Sequence, residues 1–168
     1  MIWLVKISFF VFMPFTILAQ DISKKEKGFN KMLDLMLSHS VEEVGVSEIP
    51  KDKSIVWLDA RERNEFEVSK IEEAVWVGYD DFDLTRVSNI SKDEEVIVYC
   101  SIGYISEKIA ERLKQEGYKN VKNLYGGIFS WVNHDKKVYD STGLETKKVH
   151  AYSRLWGVWL EKGEKVYK

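Results

Sequence analysis

The sequence predicts an α/β domain built on a parallel sheet, and three observations lead there. Four short apolar runs, Ile55 to Leu58, Ala74 to Val77, Val96 to Tyr99 and Val121 to Tyr125, have the length and content of strands buried on both faces. Between the third and fourth lies ISEKIAERLKQEGY, where Ile105, Ile109, Ala110 and Leu113 share one helical face. Strand, helix and strand in succession make a β-α-β unit, which demands parallel strands and a right-handed crossover.

The elements around that unit carry their own signals. Residues 22–40 set Phe29, Met32, Leu33, Leu35, Met36 and Leu37 at mostly helical spacing, which predicts an amphipathic helix packed on the domain, its methionines filling core. In the central helix Ser106 is the expected cap and Gly117 the expected stop. After Gly126-Gly127 a short helix with Ile128, Phe129 and Trp131 is expected to close the sheet region. Further on, Lys137 to Tyr139 and Lys148 to Tyr152 flank DSTGLET, a pattern that predicts a hairpin. The last stretch, SRLWGVWLEKGEKVYK, has no clear period and reads as an extension packed against the domain, with an aromatic partner-binding surface as the alternative.

A chain of 168 residues suits one domain. Its net charge of -2, with Lys and Glu interspersed, gives no basic field for nucleic acid. The opening MIWLVKISFFVFMPFTILAQ has one charge at Lys6, an apolar run to Leu18 and a small residue, Ala19, before a polar stretch. That is the pattern of a secretory signal peptide over residues 1–20, cleaved near Ala19 or Gln20; the competing reading, a membrane anchor, falls short of the roughly 20 apolar residues a span requires. The mature protein is then expected outside the cytoplasm, periplasmic or secreted. Its only cysteine, Cys100, leaves it without an internal disulfide, so the core must stabilise the fold unaided.

Cys100 stands where a buried strand ends and a helix begins, the position where parallel α/β sheets bind ligands. The intervening SIGYI is short, and Gly103 admits backbone conformations that other residues resist. A tight loop of this kind turns successive N–H groups inward as an anion nest, reinforced by the helix N-terminus beyond it. Such a setting stabilises negative charge on sulfur and makes a thiolate available as nucleophile. A buried cysteine acting as a small hydrophobe is the plain alternative.

Three segments in order carry a resemblance. WLDARERNEFEVSKI, CSIGYIS and NLYGGIFSWV are similar to the early segment, the active loop and the closing Gly-Gly…Trp of the rhodanese (sulfurtransferase) family, over about residues 45–135. The resemblance implies a five-stranded parallel sheet between helices, with residues 21–44 as an N-terminal helical segment and 136–168 as the extension. It implies that Cys100 accepts sulfane sulfur from a small donor or a protein persulfide and passes it to a thiol acceptor, with no metal and no cofactor. Ser101, Ile102, Gly103, Tyr104, Ile105 and Ser106 would form the substrate-binding loop, the amides of Ser101 through Ile105 cradling the outer sulfur. Asp59 and Arg61 match the early motif as scaffold, and Trp131 with the glycine pair matches the closing one. A monomer is expected.

The sequence departs from the family pattern in two places. Ile105 stands where many single-domain relatives have Arg, and Lys70 where they have His. Losing the loop Arg removes a contact to an anionic donor worth roughly 1.5–3 kcal/mol, so thiosulfate activity is expected to be weak and a less charged donor favoured. Phosphate-ester hydrolysis by a similar loop needs Arg six positions after the cysteine, where this chain has Ser106. The remaining competitor is a catalytically weak or inactive binding module on the same fold. His39, His134 and His150 are scattered, without metal-ligand spacing, and are expected at the surface or at helix caps. Asp80, Asp81 and Asp83 lack calcium-loop spacing and are expected in a solvated turn.

Overall fold

The structure, a computed structural model, describes residues 15–50 and 54–168, with side chains from residue 24 onward. The first 14 residues of the expected signal segment therefore lie outside the described residues. The first helix, α1, runs Phe15–Met36, followed by β1 (Glu42–Val44), β2 (Val56–Asp59), α2 (Arg63–Val68) and β3 (Val75–Trp76). Then come β4 (Glu95–Tyr99), α3 (Tyr104–Gln115), β5 (Asn120–Leu124) and α4 (Gly127–Asn133). No helix among the described residues is long and apolar enough to cross a membrane.

Strands β1 to β5 form one parallel sheet in the order β1-β5-β4-β2-β3, as the α/β reading requires. The central strand β4 pairs with β2 on one side (Val56 with Val96 through Asp59 with Tyr99) and β5 on the other. Its side chains alternate between two cores. Val96, Val98 and Cys100 face Ile109, Ala110 and Leu113 of α3. Ile97 and Tyr99 face Phe29, Leu33, Ile128, Phe129 and the C-terminal residues Val149 and Leu160. Every one of these residues is buried, so β4 is covered on both sides and reads as one continuous apolar run.

The structure revises four local expectations. The edge strand β1 escaped the hydrophobic pattern because only three residues form it and two of them are Glu; pairing with β5 and the Lys122–Glu42 ion pair (2.9 Å) hold it. Helix α1 stops at Met36 instead of continuing to residue 40, because the next backbone donors find a better acceptor. The Glu107 carboxylate takes the N–H of Ser38 (2.9 Å) and Ser40 (2.8 Å) and the Ser40 hydroxyl (3.0 Å). The expected hairpin closes, but on a nearer partner: β6 (Val138–Tyr139) pairs antiparallel with β7 (Glu145–Thr146). Asp140 Oδ1 accepts from Thr142 N (2.9 Å), Thr142 Oγ1 (2.6 Å) and Leu144 N (3.1 Å), tightening the turn. That frees β8 (Lys148–His150) to run parallel with β9 (Glu164–Val166) at the end of the chain. Finally, α3 is capped not by Ser106 but by Gly103, whose φ of 104° no residue with a Cβ adopts readily.

The C-terminal residues pack on the α1 and α4 side of the sheet, where Trp159 stacks on Phe29 with centroids 5.4 Å apart. Asp83 caps a short turn of helix at Leu84–Val87 through Thr85 N (2.9 Å), while Asp81 pairs with Arg86 (3.1 Å).

Glu107 ties the strand lead-in to α3, and its carboxyl lies below the ordinary value of 4.5: burial pushes it up, but the Ser38 and Ser40 donors outweigh that. A carboxyl lowered by folding stabilises the folded chain above its unfolded value and loses that contribution as pH falls through the folded one. Glu107→Ala is expected to lower stability by roughly 1.5–3 kcal/mol at neutral pH and to flatten the acid limb of the stability curve. An unchanged urea midpoint at pH 7 would refute this account of the 37–40 turn.

Candidate active site

Two strand ends meet at the point where the sheet's connections diverge. From β2 the chain moves outward to β3, and from β4 it moves the other way to β5, which opens a crevice at the C-terminal ends of β2 and β4. Asp59 ends the first and Cys100 follows the second.

Cys100 is a free thiol, 2% exposed, at the floor of a cavity of about 430 Å³. The chain turns sharply after it, and the amide of Gly103 donates to Sγ at 3.1 Å. The N-terminus of α4 fixes the turn from below, with Ile128 N–H donating to Cys100 O (2.9 Å) and Phe129 N–H to Ser101 O (3.2 Å). This works only because residue 127 has no side chain. A Cβ there would stand 2.3 Å from Cys100 O and 2.7 Å from Ile102 N.

The expected loop residues divide into two groups. Ser101, Ile102, Tyr104 and Ile105 line the cavity with Cys100. Ser106 does not: it is buried in the first turn of α3 and donates to Asn123 Oδ1 (2.7 Å), while Asn123 Nδ2 donates to Gly103 O (2.9 Å). Its hydroxyl thus serves the loop from behind, because the helix starts earlier than the sequence suggested and turns residue 106 toward β5. Tyr104 stands 44% exposed at the rim. Lys70 lies elsewhere, bridged through its backbone to Tyr139 and with its ammonium over Phe66 (4.7 Å).

Asp59 and Arg61 form a wholly buried pair. Arg61 Nη2 donates to Asp59 Oδ2 (2.6 Å) and to Ser69 O (2.6 Å), and Nε to Asp59 Oδ1 (3.0 Å). Burial would weaken the guanidinium's hold on its proton, but the charge and hydrogen bonds of Asp59 more than offset it and keep Arg61 above its ordinary value. The guanidinium also lies 5.6 Å from the Tyr99 ring centre. Burial, then the Asp59 charge, push the Tyr99 phenol well above its usual range, so it stays protonated. The pair therefore anchors the end of β2 to α2 without entering the cavity.

Two residues that the sequence reading passed over belong to the site. Glu65 of α2 is buried, lines the cavity and accepts from the Ser101 hydroxyl (3.2 Å) and the Glu62 amide (3.2 Å). His150, expected at the surface, is instead 5% exposed with Nδ1 3.3 Å from Glu65 Oε1. A buried carboxylate must be partnered, and the β8–β9 pair brings a histidine to it. The spacing of Glu65 in the early motif was the one available clue; nothing local marks His150. His39 and His134 sit as expected, the first beside Glu43 (3.1 Å) and the second with Nδ1 2.8 Å from Ser130 O at the end of α4.

Comparison with known proteins now adds to the geometry. The model of the rhodanese-like domain matches residues 45–134. A sulfurtransferase from Allochromatium vinosum is 45% identical over 49 residues, which is 29% of this chain and 46% of that protein. The thiosulfate sulfurtransferase GlpE of Coxiella burnetii is 27% identical over 103 residues, 59% of this chain and 92% of that protein. The chain thus spans less than half of the first relative, and 27% of a tRNA uridine(34) hydroxylase from Leptospira interrogans that it also matches. Among solved structures, the BH2092 protein of Bacillus halodurans superposes with a TM-score of 0.54 at 22% identity, over 71% of this chain and 88% of that one, a likeness of fold.

Because Gly127 lies under the cysteine turn, Gly127→Ala is expected to destabilise the chain by about 1–3 kcal/mol and to change the rate at which Cys100 is alkylated. If both the unfolding midpoint and the alkylation rate match the wild type, the turn does not depend on that approach.

Proposed function

The chain belongs to the rhodanese-like domain family, and we propose that it is a sulfurtransferase or sulfane-sulfur carrier that forms a persulfide on Cys100 and delivers the sulfur to a thiophilic acceptor. The observation that carries this reading is the Gly103 amide aimed at Cys100 Sγ from 3.1 Å at the floor of an open cavity. A donor N–H on sulfur favours the charged form, and it continues to favour it once the charge moves one atom out.

The first step is attack of the Cys100 thiolate on the outer sulfur of a donor. A bond forms between Sγ and that sulfur, the donor's own bond to it breaks, and the electron pair leaves on the donor fragment. In the second step an acceptor thiolate attacks the outer sulfur of the Cys100 persulfide, and Sγ leaves as thiolate. Neither step needs a metal or an external oxidant. The protein's part is to fix Sγ at the strand end, to hold charge on it by the loop amide, and to keep Ser101 and its hydroxyl oriented through Glu65.

Thiosulfate is a poor donor on this reading. Ile105 lines the cavity where an arginine would grip a dianion, and neither Lys nor Arg is among the described lining residues. The apolar content of residues 1–20 supports an exported protein.

Intact-mass measurement after incubation with a persulfide donor tests the proposal. A gain of about 32 Da that is absent from Cys100→Ser is expected, with a smaller yield from thiosulfate. No adduct from any donor would leave the fold as a binding module without sulfur chemistry.

A further inference from the structure

The walls of the Cys100 cavity have a character that its floor does not dictate. Three carboxylates line it, Glu62, Glu65 and Asp80, together with the aromatic side chains of Tyr104, Tyr152 and Trp156. Glu65 is occupied by Ser101, the Glu62 amide and His150. Glu62 and Asp80 are exposed at the mouth, and no ion pair among the described residues uses either; the neighbouring Asp81 is the one that Arg86 takes. Burial first, then the charges of Asp80, Glu65 and Asp81, hold the Glu62 carboxyl above its ordinary range.

A negative field in a partly enclosed cleft repels anions and concentrates cations. Aromatic faces beside it add attraction for an ammonium or guanidinium group, since the π-face is negative. Tyr104 and Tyr152 are 44% and 59% exposed at the rim, so their faces are open to a ligand. Both features point to one ligand charge, and they surround the reactive sulfur.

Building on the sulfurtransferase reading, we propose that the sulfur donor carries a positive charge close to its persulfide: a cationic aminothiol persulfide, or a protein cysteine persulfide flanked by basic residues. The ammonium or guanidinium lies between Glu62 and Asp80 against the Tyr104 and Tyr152 rings, while the outer sulfur reaches Cys100. The step is balanced without a co-reactant. The Cys100 thiolate attacks the terminal sulfur of R–S–SH, the new bond joins Sγ to that sulfur, which keeps its proton, and R–S⁻ leaves with the electron pair of the broken bond. The departing fragment is then a zwitterion whose cation neutralises its thiolate, which spares the acidic cleft a net negative product.

A donor series with the same two-carbon spacer and different charge tests this: the persulfides of cysteamine (ammonium), 2-mercaptoethanol (neutral) and 3-mercaptopropionate (carboxylate), with sulfur loading of Cys100 followed by stopped-flow and intact mass. The loading rate is expected to fall in that order, by roughly three- to tenfold from first to last at low salt. In the double variant Glu62→Gln, Asp80→Asn the ratio of first to last is expected to collapse toward one. Should that variant fold poorly, raising salt on the wild type from about 0.05 to 0.5 M shrinks the same ratio by screening. A persulfide on the peptide Lys-Cys-Lys separates the two sources: faster loading than from the cysteamine persulfide assigns a protein donor, slower loading a small one. Equal rates across the series, or a faster anionic donor, overturn the proposal and leave sulfur transfer intact. Absence of loading from every donor instead removes the sulfurtransferase reading itself.

Discussion

The close approach of the α4 N-terminus to the end of β4 is the constraint on which the site depends. Two backbone hydrogen bonds, from Ile128 to the Cys100 carbonyl and from Phe129 to that of Ser101, bend the chain off the strand as soon as the cysteine is reached. With those carbonyls turned down, the next amide that comes round, that of Gly103, faces Sγ. Gly103 then enters α3 directly at φ 104°. A longer loop would have lost this geometry, because each added residue brings backbone donors that must be satisfied elsewhere. The two positions without side chains, 103 and 127, are therefore one device: one allows the turn and the other leaves room for it.

Buried polar groups keep the two strand ends in register around that turn. The Asp59–Arg61 pair is fully enclosed and reaches the Ser69 carbonyl, so it locks the end of β2 to the far end of α2. Buried ion pairs add little net stability, because desolvation offsets most of their attraction, yet breaking one strands a charge in the core and costs about 3–5 kcal/mol. Their effect is to fix a geometry. Here that geometry places α2 so that Glu65 meets Ser101, and the active loop is held from its open side by a carboxylate as well as from below by backbone. Ser106 and Asn123 close the third side, joining α3 to β5 and to the Gly103 carbonyl.

How much of this was legible in the sequence follows from the range of each signal. Four strands and α3 announced themselves through apolar content: β4 is buried on both faces and writes a continuous apolar run, while β2 and β5 are buried in part and β3, at the sheet edge, is only Val75–Trp76 with Val75 exposed. The edge strand β1 is only Glu42, Glu43 and Val44; pairing with β5 and a lysine make it a strand, and neither lies near it in sequence. The order of three motifs located Cys100, Asp59 and Arg61. Position in the loop did not reveal direction: Ser106 looked like a lining residue and a cap, but starting the helix at Tyr104 turns it into the core. His150 was the least accessible. Its partner Glu65 lies 85 residues away and is reached only through the parallel pairing of β8 with β9, a contact that no local periodicity encodes.

The lining of the cavity is drawn from three parts of the chain. Cys100, Ser101, Ile102, Tyr104 and Ile105, and the carboxylates Glu62, Glu65 and Asp80, lie within the rhodanese-like segment of residues 45–134, whereas Met36 comes from α1, and Tyr152 and Trp156 from the C-terminal residues. Stabilising a charge on sulfur takes a correctly turned backbone, which tolerates wide variation in the side chains around it. On the proposed reading, choosing a donor takes surface of a given charge and shape above the sulfur: the charge comes from Glu62 and Asp80 within that segment, and part of the shape from Met36, Tyr152 and Trp156 packed on its rim. Since α1 and the β8–β9 region also bury Phe29, Leu33, Val149 and Leu160 against the sheet, the same contacts that stabilise the fold hold Met36, Tyr152 and Trp156 against the cavity. Loosening either flank would widen the cavity before it disturbed the thiol, because the cysteine turn is held from below by the Ile128 and Phe129 amides.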